Sequence, residues 1–296
     1  MGKTTPKATF FALLAAVLYA VNSPFSKLLL RYIPPTVMAS LLYLGAGLGL
    51  FLAGLVQRLR GQQAQEQPLT RRELPYTVGM VVLDIAAPVF LMVGLTMTSA
   101  ANASLLNNFE IVATSVIALA VFRERISKRL WAAIALVTLS SLILTFEDMS
   151  SLSFSYGSIF VLLACICWGF ENNCTRMLSS KNPLEIVVIK GFGSGLGALI
   201  VAFVRGETLP EPGWLVCALL VGFVAYGLSI YFYIYAQRDL GAARTSTYYA
   251  VAPFVGAGMS MLIFWELPGV SYFAALLIMI AGTWLATADS NAAVEK

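Results

Sequence analysis

The sequence predicts an all-α membrane protein: ten transmembrane helices as two inverted five-helix repeats around a central cavity. Three observations predict it. First, 59% of the 296 residues are hydrophobic and 11% are charged, whereas soluble domains carry about 25% charged residues. Second, ten apolar stretches are each near the roughly 20 residues that a helix needs to cross a bilayer. Third, the chain repeats itself. An offset of 142 lays residues 101–124 on 243–266 without a gap, placing Ala101 on Ala243, Ser104 on Ser246, Phe122 on Phe264 and Glu124 on Glu266. Offsets of 148 and 149 extend the match: Pro35, Gly45, Gly47 and Gly49 fall on Pro183, Gly193, Gly195 and Gly197, and Tyr19-Ala20 falls on Trp168-Gly169. The repeats are 1–148 and 149–296. Each holds five spans, an odd number, so the second enters the bilayer upside-down relative to the first. Proteins built this way place a small-molecule site near the midplane between the repeats.

The spans lie at 7–30, 35–56, 74–96, 101–122, 129–146, 156–178, 184–204, 213–236, 243–264 and 269–288. The first follows Lys3 and Lys7 and so imitates a signal peptide. Its apolar run continues to Leu30 and further spans follow, which makes it an uncleaved helix. The second and seventh are glycine-rich, suited to close helix contacts. The third, fourth and sixth carry charges at depth. The eighth and ninth are aromatic. The connections are short, with 57–73 the one real polar loop. Barrel strands are excluded, because the apolar runs are too long and do not alternate.

Orientation follows from the basic residues. With the N-terminus cytoplasmic, fifteen of the 19 Lys and Arg residues fall on that side, while Lys27, Arg31 and Arg205 fall on the other and Lys190 lies within a span. Both termini are therefore expected in the cytoplasm. The net charge of +4 is spread over loops and gives no nucleic-acid patch. There is no histidine, which removes the usual proton shuttle and the commonest metal ligand. With no HExxH and no paired aspartates on adjacent helices, an intramembrane enzyme is not expected. No Walker motif and no cofactor or metal site is present. Cys165, Cys167, Cys174 and Cys217 lie in apolar runs and read as reduced packing thiols.

On these residues the chain resembles the drug/metabolite transporter superfamily, specifically its ten-helix type with two EamA-like repeats, and within it the bacterial amino-acid exporters. The resemblance is carried by Trp168-Gly169 early in a repeat, the glycine-rich second helix, helices ending in Glu124 and Glu266, and Gly282 within a last helix. In the first half Tyr19-Ala20 replaces Trp-Gly, Ser140 replaces Gly282, and Ile111 stands where the second half has Pro253. The resemblance implies a multi-pass protein of the bacterial cell inner membrane. It implies a cavity lined mainly by helices 1, 3, 4, 6, 8 and 9, with helices 5 and 10 peripheral. It implies export of amino acids or related metabolites, with the bilayer and a small-molecule substrate as partners.

The candidate substrate-binding residues come from spacing. Trp168, Glu171, Asn172 and Thr175 stand at i, i+3, i+4 and i+7, one face of a helix, and Tyr19, Asn22, Ser23 and Ser26 repeat the spacing at the matched positions. Asp84, Glu110, Glu171 and Lys190 are the deepest charges, and an intramembrane charge marks a functional site or a structural ion pair. A carboxylate there could meet a substrate ammonium or exchange a proton. Lys190 could meet a substrate carboxylate, snorkel to the surface, or pair with a carboxylate of its own. Asn107 belongs to the polar patch of the fourth span, and Tyr248 and Tyr249 align beside it. Pro24, Pro88 and Pro253 interrupt spans 1, 3 and 9 and are candidate hinges. Glu124 is expected to pair with Arg123, Arg125 or Lys128. Neutral or aromatic amino acids fit this composition best, with drugs, nucleosides or nucleotide-sugars as the alternative cargo and a non-transporting scaffold as the rival role.

Overall fold

The computed structural model describes residues 6–60, 67–122, 127–148, 153–178, 181–240, 248–265 and 268–294. Glu124, Glu266 and the arginines flanking Glu124 lie outside them. Among the described residues, eight helices are long and apolar enough to cross a membrane, and two shorter apolar helices, Ala252–Phe264 and Val270–Ala286, complete the set of ten.

The first span is two helices, α1 (Pro6–Ala20) and α2 (Asn22–Leu29). Pro24 has no N–H to return to the Ala20 carbonyl, and the chain turns at Val21, one turn ahead of the proline. Span 2 is α3 (Pro35–Leu59), and span 3 is α4 (Leu74–Met97). A short helical turn precedes α4, in which the Glu73 carboxylate accepts from the Thr70 backbone N–H at 2.8 Å, a capping box that fixes where the helix starts. Span 4 breaks into α5 (Ala100–Leu106) and α6 (Phe109–Phe122), and span 5 is α7 (Lys128–Thr145). A ribbon of β1 (Phe146–Asp148) and β2 (Ser153–Phe154), not expected from the apolar pattern, lies between the two halves. Then come α8 (Tyr156–Leu178), α9 (Pro183–Val204) and α10 (Pro212–Gly222). A π-helical turn over Phe223–Leu228 leads into α11 (Ser229–Leu240), then α12 (Ala252–Phe264) and α13 (Val270–Val294).

Two of the three expected proline interruptions differ from expectation. Helix α4 runs unbroken through the buried Pro88. Pro253 is the second residue of α12 and opens that helix, at a position where a missing N–H costs nothing. The break precedes it, at Ala250-Val251. Span 4 breaks at Asn107-Asn108, almost the matched place, with no proline in reach. There the backbone closes tight turns, with Asn108 N–H on Leu105 O and Ile111 N–H on Asn108 O, both at 3.1 Å. Asparagine competes with helical backbone bonding and favours such a break.

The packing pairs spans across the halves. Helix α4 lies against α8, α3 against α9, α1 against α11, and α7 against α13. The α3–α9 contact is a backbone crossing: a Cβ on Gly191 would sit 2.4 Å from the Gly47 Cα. Glycine is required there because the helices approach closer than any side chain allows. Ser40 Oγ donates to Gly195 O at 2.7 Å across the same seam. The α7–α13 pair is tied by Ser140 Oγ donating to Ala275 O at 2.6 Å.

Candidate functional site

Helices α4, α8 and α9 bring three charged side chains together in the core. Lys190 Nζ lies 2.9 Å from Glu171 Oε1 and 3.1 Å from Asp84 Oδ2. Asp84 and Glu171 are 0% and 2% exposed. Burying a lone charge at such depth is costly, and an amine shared by two carboxylates offsets much of that cost. Tyr43 on α3 donates its hydroxyl to Asp84 Oδ1 at 2.8 Å, and Thr175 donates to Glu171 from one turn along α8. Of the roles open to Lys190, the geometry selects pairing with carboxylates.

A second group sits beside the first. Asn172 Nδ2 donates to Glu110 Oε1 at 2.6 Å and stands 3.3 Å from Thr114 Oγ1, joining α8 to α6. Glu110, Asn172, Tyr19 and Tyr249 are partly exposed, in contrast to the buried triad. A third group is neutral. Ser26 Oγ donates to Asn22 Oδ1 at 3.0 Å, and Asn22 Nδ2 donates to the Tyr226 hydroxyl at 3.2 Å. Tyr226 lies in the π-helical turn, a distortion frequent at functional sites. Its ring is 5.1 Å from that of Tyr43 and 6.0 Å from that of Tyr19, and Tyr19 is 5.6 Å from Tyr249. Asn172, which holds Glu110, is the chain neighbour of Glu171, and the Tyr43–Tyr226 ring contact joins the triad to the neutral group. The three groups are one cluster.

Of the candidate residues, Tyr19, Asn22, Asp84, Glu110, Glu171, Asn172 and Tyr249 meet in this cluster. Trp168 does not form an open wall: it is 6% exposed and packs in the main apolar core. Its neighbour Gly169 abuts Ala113, where an added Cβ would be 2.7 Å from the alanine's. Tyr248 packs with Phe11 against Ala8, Ala12 and Ala236, outside the cluster, because consecutive residues of a helical turn point about 100° apart. Asn107 occupies the break of span 4, with its buried side-chain oxygen unpartnered among the described residues, and makes no bond to the carboxylates. Sequence reasoning passed over Tyr43. Nothing local marks it: it is one tyrosine in a glycine-rich helix expected to supply smooth contacts.

Among the described residues, no group of three or more His, Cys, Asp or Glu side chains is arranged to hold a metal ion. All four cysteines are free thiols. A cavity of about 470 Å³ opens at the end of the bundle marked by Lys27, Thr98, Asn102, Ser155 and Tyr272. Lys27 there donates to the carbonyls of Leu95 and Thr98 at the end of α4, where a cation meets the negative end of the helix dipole.

Ten apolar helices paired across two halves, with polar side chains gathered between them, define a multi-pass membrane transporter. The comparisons with known proteins agree. The chain belongs to the EamA-like transporter family, which matches it twice, over residues 6–146 and 155–288. An uncharacterized transporter of Methanothermobacter thermautotrophicus is 23% identical over 287 residues, spanning 92% of this chain and 83% of that protein. One solved crystal structure superposes with a TM-score of 0.69 at 15% identity, covering 96% of each chain, a likeness of fold.

Proposed function

We propose that this protein is a secondary transporter of the bacterial inner membrane that exports neutral amino acids, with larger apolar or aromatic side chains accepted, by alternating access. The observation that carries the reading is the cluster between the halves: carboxylates, amides and tyrosines from seven spans, gathered between two matched repeats, and transporters built from inverted repeats bind substrate between them. The candidate residues Tyr19, Asn22, Asp84, Glu110, Glu171, Asn172 and Tyr249 supply polar contacts within aromatic walls, the composition of a small-molecule site. No dense basic cluster stands among them, which argues against phosphorylated cargo. Outward direction rests on likeness to amino-acid exporters. Pro24, beside the break of span 1, is the proline best placed to act as a hinge.

The test is uptake and release by proteoliposomes containing labelled phenylalanine, methionine, leucine or threonine, against protein-free vesicles. Flux of at least one of these is expected. Robust flux of a nucleoside or a cationic drug with none of these four would move the assignment to the alternative cargo, and no flux of any kind would leave a scaffold. Orientation is tested by cysteine labelling: Gln63→Cys should be reached from the cytoplasm and Ser151→Cys from outside, and labelling of position 63 from outside overturns the assignment.

A further inference from the structure

The spans differ in continuity, and the difference divides the bundle. Spans 2, 3, 6 and 7 (α3, α4, α8 and α9) run unbroken. They are pinned to one another at three levels. At the middle, Lys190 of α9 meets Asp84 of α4 and Glu171 of α8, and Tyr43 of α3 bonds to Asp84. At one end the Glu207 carboxylate, just past α9, accepts from the Thr36 and Val37 N–H groups that open α3, both at 3.0 Å. At the other end Asn182 N–H donates to Gln67 O and Leu69 N–H to Glu185, again at 3.0 Å. Those two bonds tie the start of α9 to the chain entering α4.

Spans 1, 8 and 9 are interrupted, and the interruptions lie side by side. Span 1 breaks at Val21, span 8 carries the π-helical turn Phe223–Leu228, and span 9 breaks at Ala250-Val251. Asn22, next to the first, bonds to Tyr226 in the second at 3.2 Å. Tyr19 and Tyr249, just ahead of the first and third, have ring centroids 5.6 Å apart. On the side of the breaks that carries the N-terminus, the half-spans hold one another. Ser229, which opens α11, donates to Ala15 O on α1 at 2.9 Å and stands 3.2 Å from the Tyr249 hydroxyl. Phe11 stacks on Phe232 at 5.2 Å, and Tyr248 packs with Phe11 against Ala8, Ala12 and Ala236. Toward the unbroken spans, Tyr231 of α11 accepts from Gln57 of α3 at 3.2 Å, a part-buried bond of the kind that water replaces at small cost. Span 4 is broken too, but its α6 half packs on α8. Domain hinges are a few residues at element ends that absorb the backbone change, and three of them in register let the half-spans turn together.

We propose that α1, α11 and the Tyr248-Tyr249 turn are one gate, which swings on the three breaks against a fixed frame of spans 2, 3, 6 and 7 and closes the cluster at the N-terminal end of the bundle. This deepens the transport reading above and rests on its alternating access.

Two reversible bridges separate movement within the gate from movement against the frame. Gln57→Cys with Tyr231→Cys, joined by a bis-methanethiosulfonate linker, ties gate to frame. Flux of labelled phenylalanine, or of the panel member that the wild type carries, should fall at least tenfold and return with reductant. Ala8→Cys with Ala236→Cys, joined in the same way, ties α1 to α11 inside the gate and should leave flux within twofold of the unlinked chain. Undiminished flux through the first bridge overturns the proposal, as does a reversible tenfold loss through the second. A readout without cargo is the distance between spin labels in nanodiscs, with Cys217, the exposed native thiol, changed to serine. Labels at Gln57→Cys and Tyr231→Cys should give two distances, and labels at Gln57→Cys and Lys181→Cys, both on the frame, one. A single distance for both pairs overturns the gate even where flux is present. Two distances for the first pair, in a protein that moves no cargo, support the gate and remove the transport reading.

Discussion

Spans 1 and 6 are copies of one helix, and their polar faces have gone different ways. At an offset of 149, Asn22 falls on Glu171 and Ser26 on Thr175. In both, the hydroxyl donates back to the side chain one turn earlier, Ser26 to Asn22 at 3.0 Å and Thr175 to Glu171. The outward partner differs. Asn22 reaches Tyr226, a neutral phenol on the span that packs on span 1. Glu171 reaches Lys190 and, through it, Asp84 on the span that packs on span 6. The duplication kept the geometry of the face and changed its charge. A neutral hydrogen bond contributes about 1 kcal/mol, whereas removing one partner of a buried ion pair costs about 3–5 kcal/mol. The charged copy is therefore the half of the centre that tolerates least change.

The largest effect tests that claim directly. Lys190→Met strands two buried carboxylates and should destabilise the protein by about 3–5 kcal/mol, read as a fall in thermal unfolding midpoint in detergent. Adding Asp84→Asn and Glu171→Gln to the same chain should recover most of the stability without recovering flux. A single variant that melts with the wild type would show that the triad does not hold the core. Next in size, Asn22→Glu turns the neutral copy into a charged one without a lysine to meet it. A loss of about 2–3 kcal/mol is expected, and no loss would mean that the first span has a cation in reach. Tyr226→Phe should cost about 1–2 kcal/mol, since it orphans the Asn22 amide. The smallest difference, between two matched variants, is the sharpest. Thr175→Val should cost more than Ser26→Ala, about 1.5–3 against 0.5–1.5 kcal/mol, because one hydroxyl serves a carboxylate and the other an amide. Equal costs, measured side by side by denaturant unfolding, would remove the distinction between the copies.

Much of this arrangement was legible along the chain, for reasons that belong to single helices. Glu171, Asn172 and Thr175 share a face by spacing alone, and duplication pointed to Tyr19, Asn22 and Ser26. Where the reading failed, the deciding contact was between helices. Tyr43 is drawn in by Asp84, 41 residues away. Tyr248 and Tyr249 are adjacent in the chain, and the helical turn sends one to a side cluster of alanines and the other to Ser229 and Tyr19, a division that depends on which helices stand on each side. Pro253 marked a break in span 9, whereas the matching break at Asn107-Asn108 carries no proline.

The sequence by itself determined the membrane class, the ten spans and the twofold repeat. Those follow from apolar length and from periodicity, properties that each segment carries alone. It also put titratable groups at depth, because a charge inside an apolar run is visible wherever the run folds. Only the tertiary structure decided how those charges pair. Lys190 had three open roles in the sequence. The glycine crossing of α3 and α9, with α4 and α8 packed alongside, settles its place by setting the amine between two carboxylates that lie 106 positions before it and 19 before it in the chain. Pairing depends on distances between helices, and a linear sequence holds no distance longer than a helical turn.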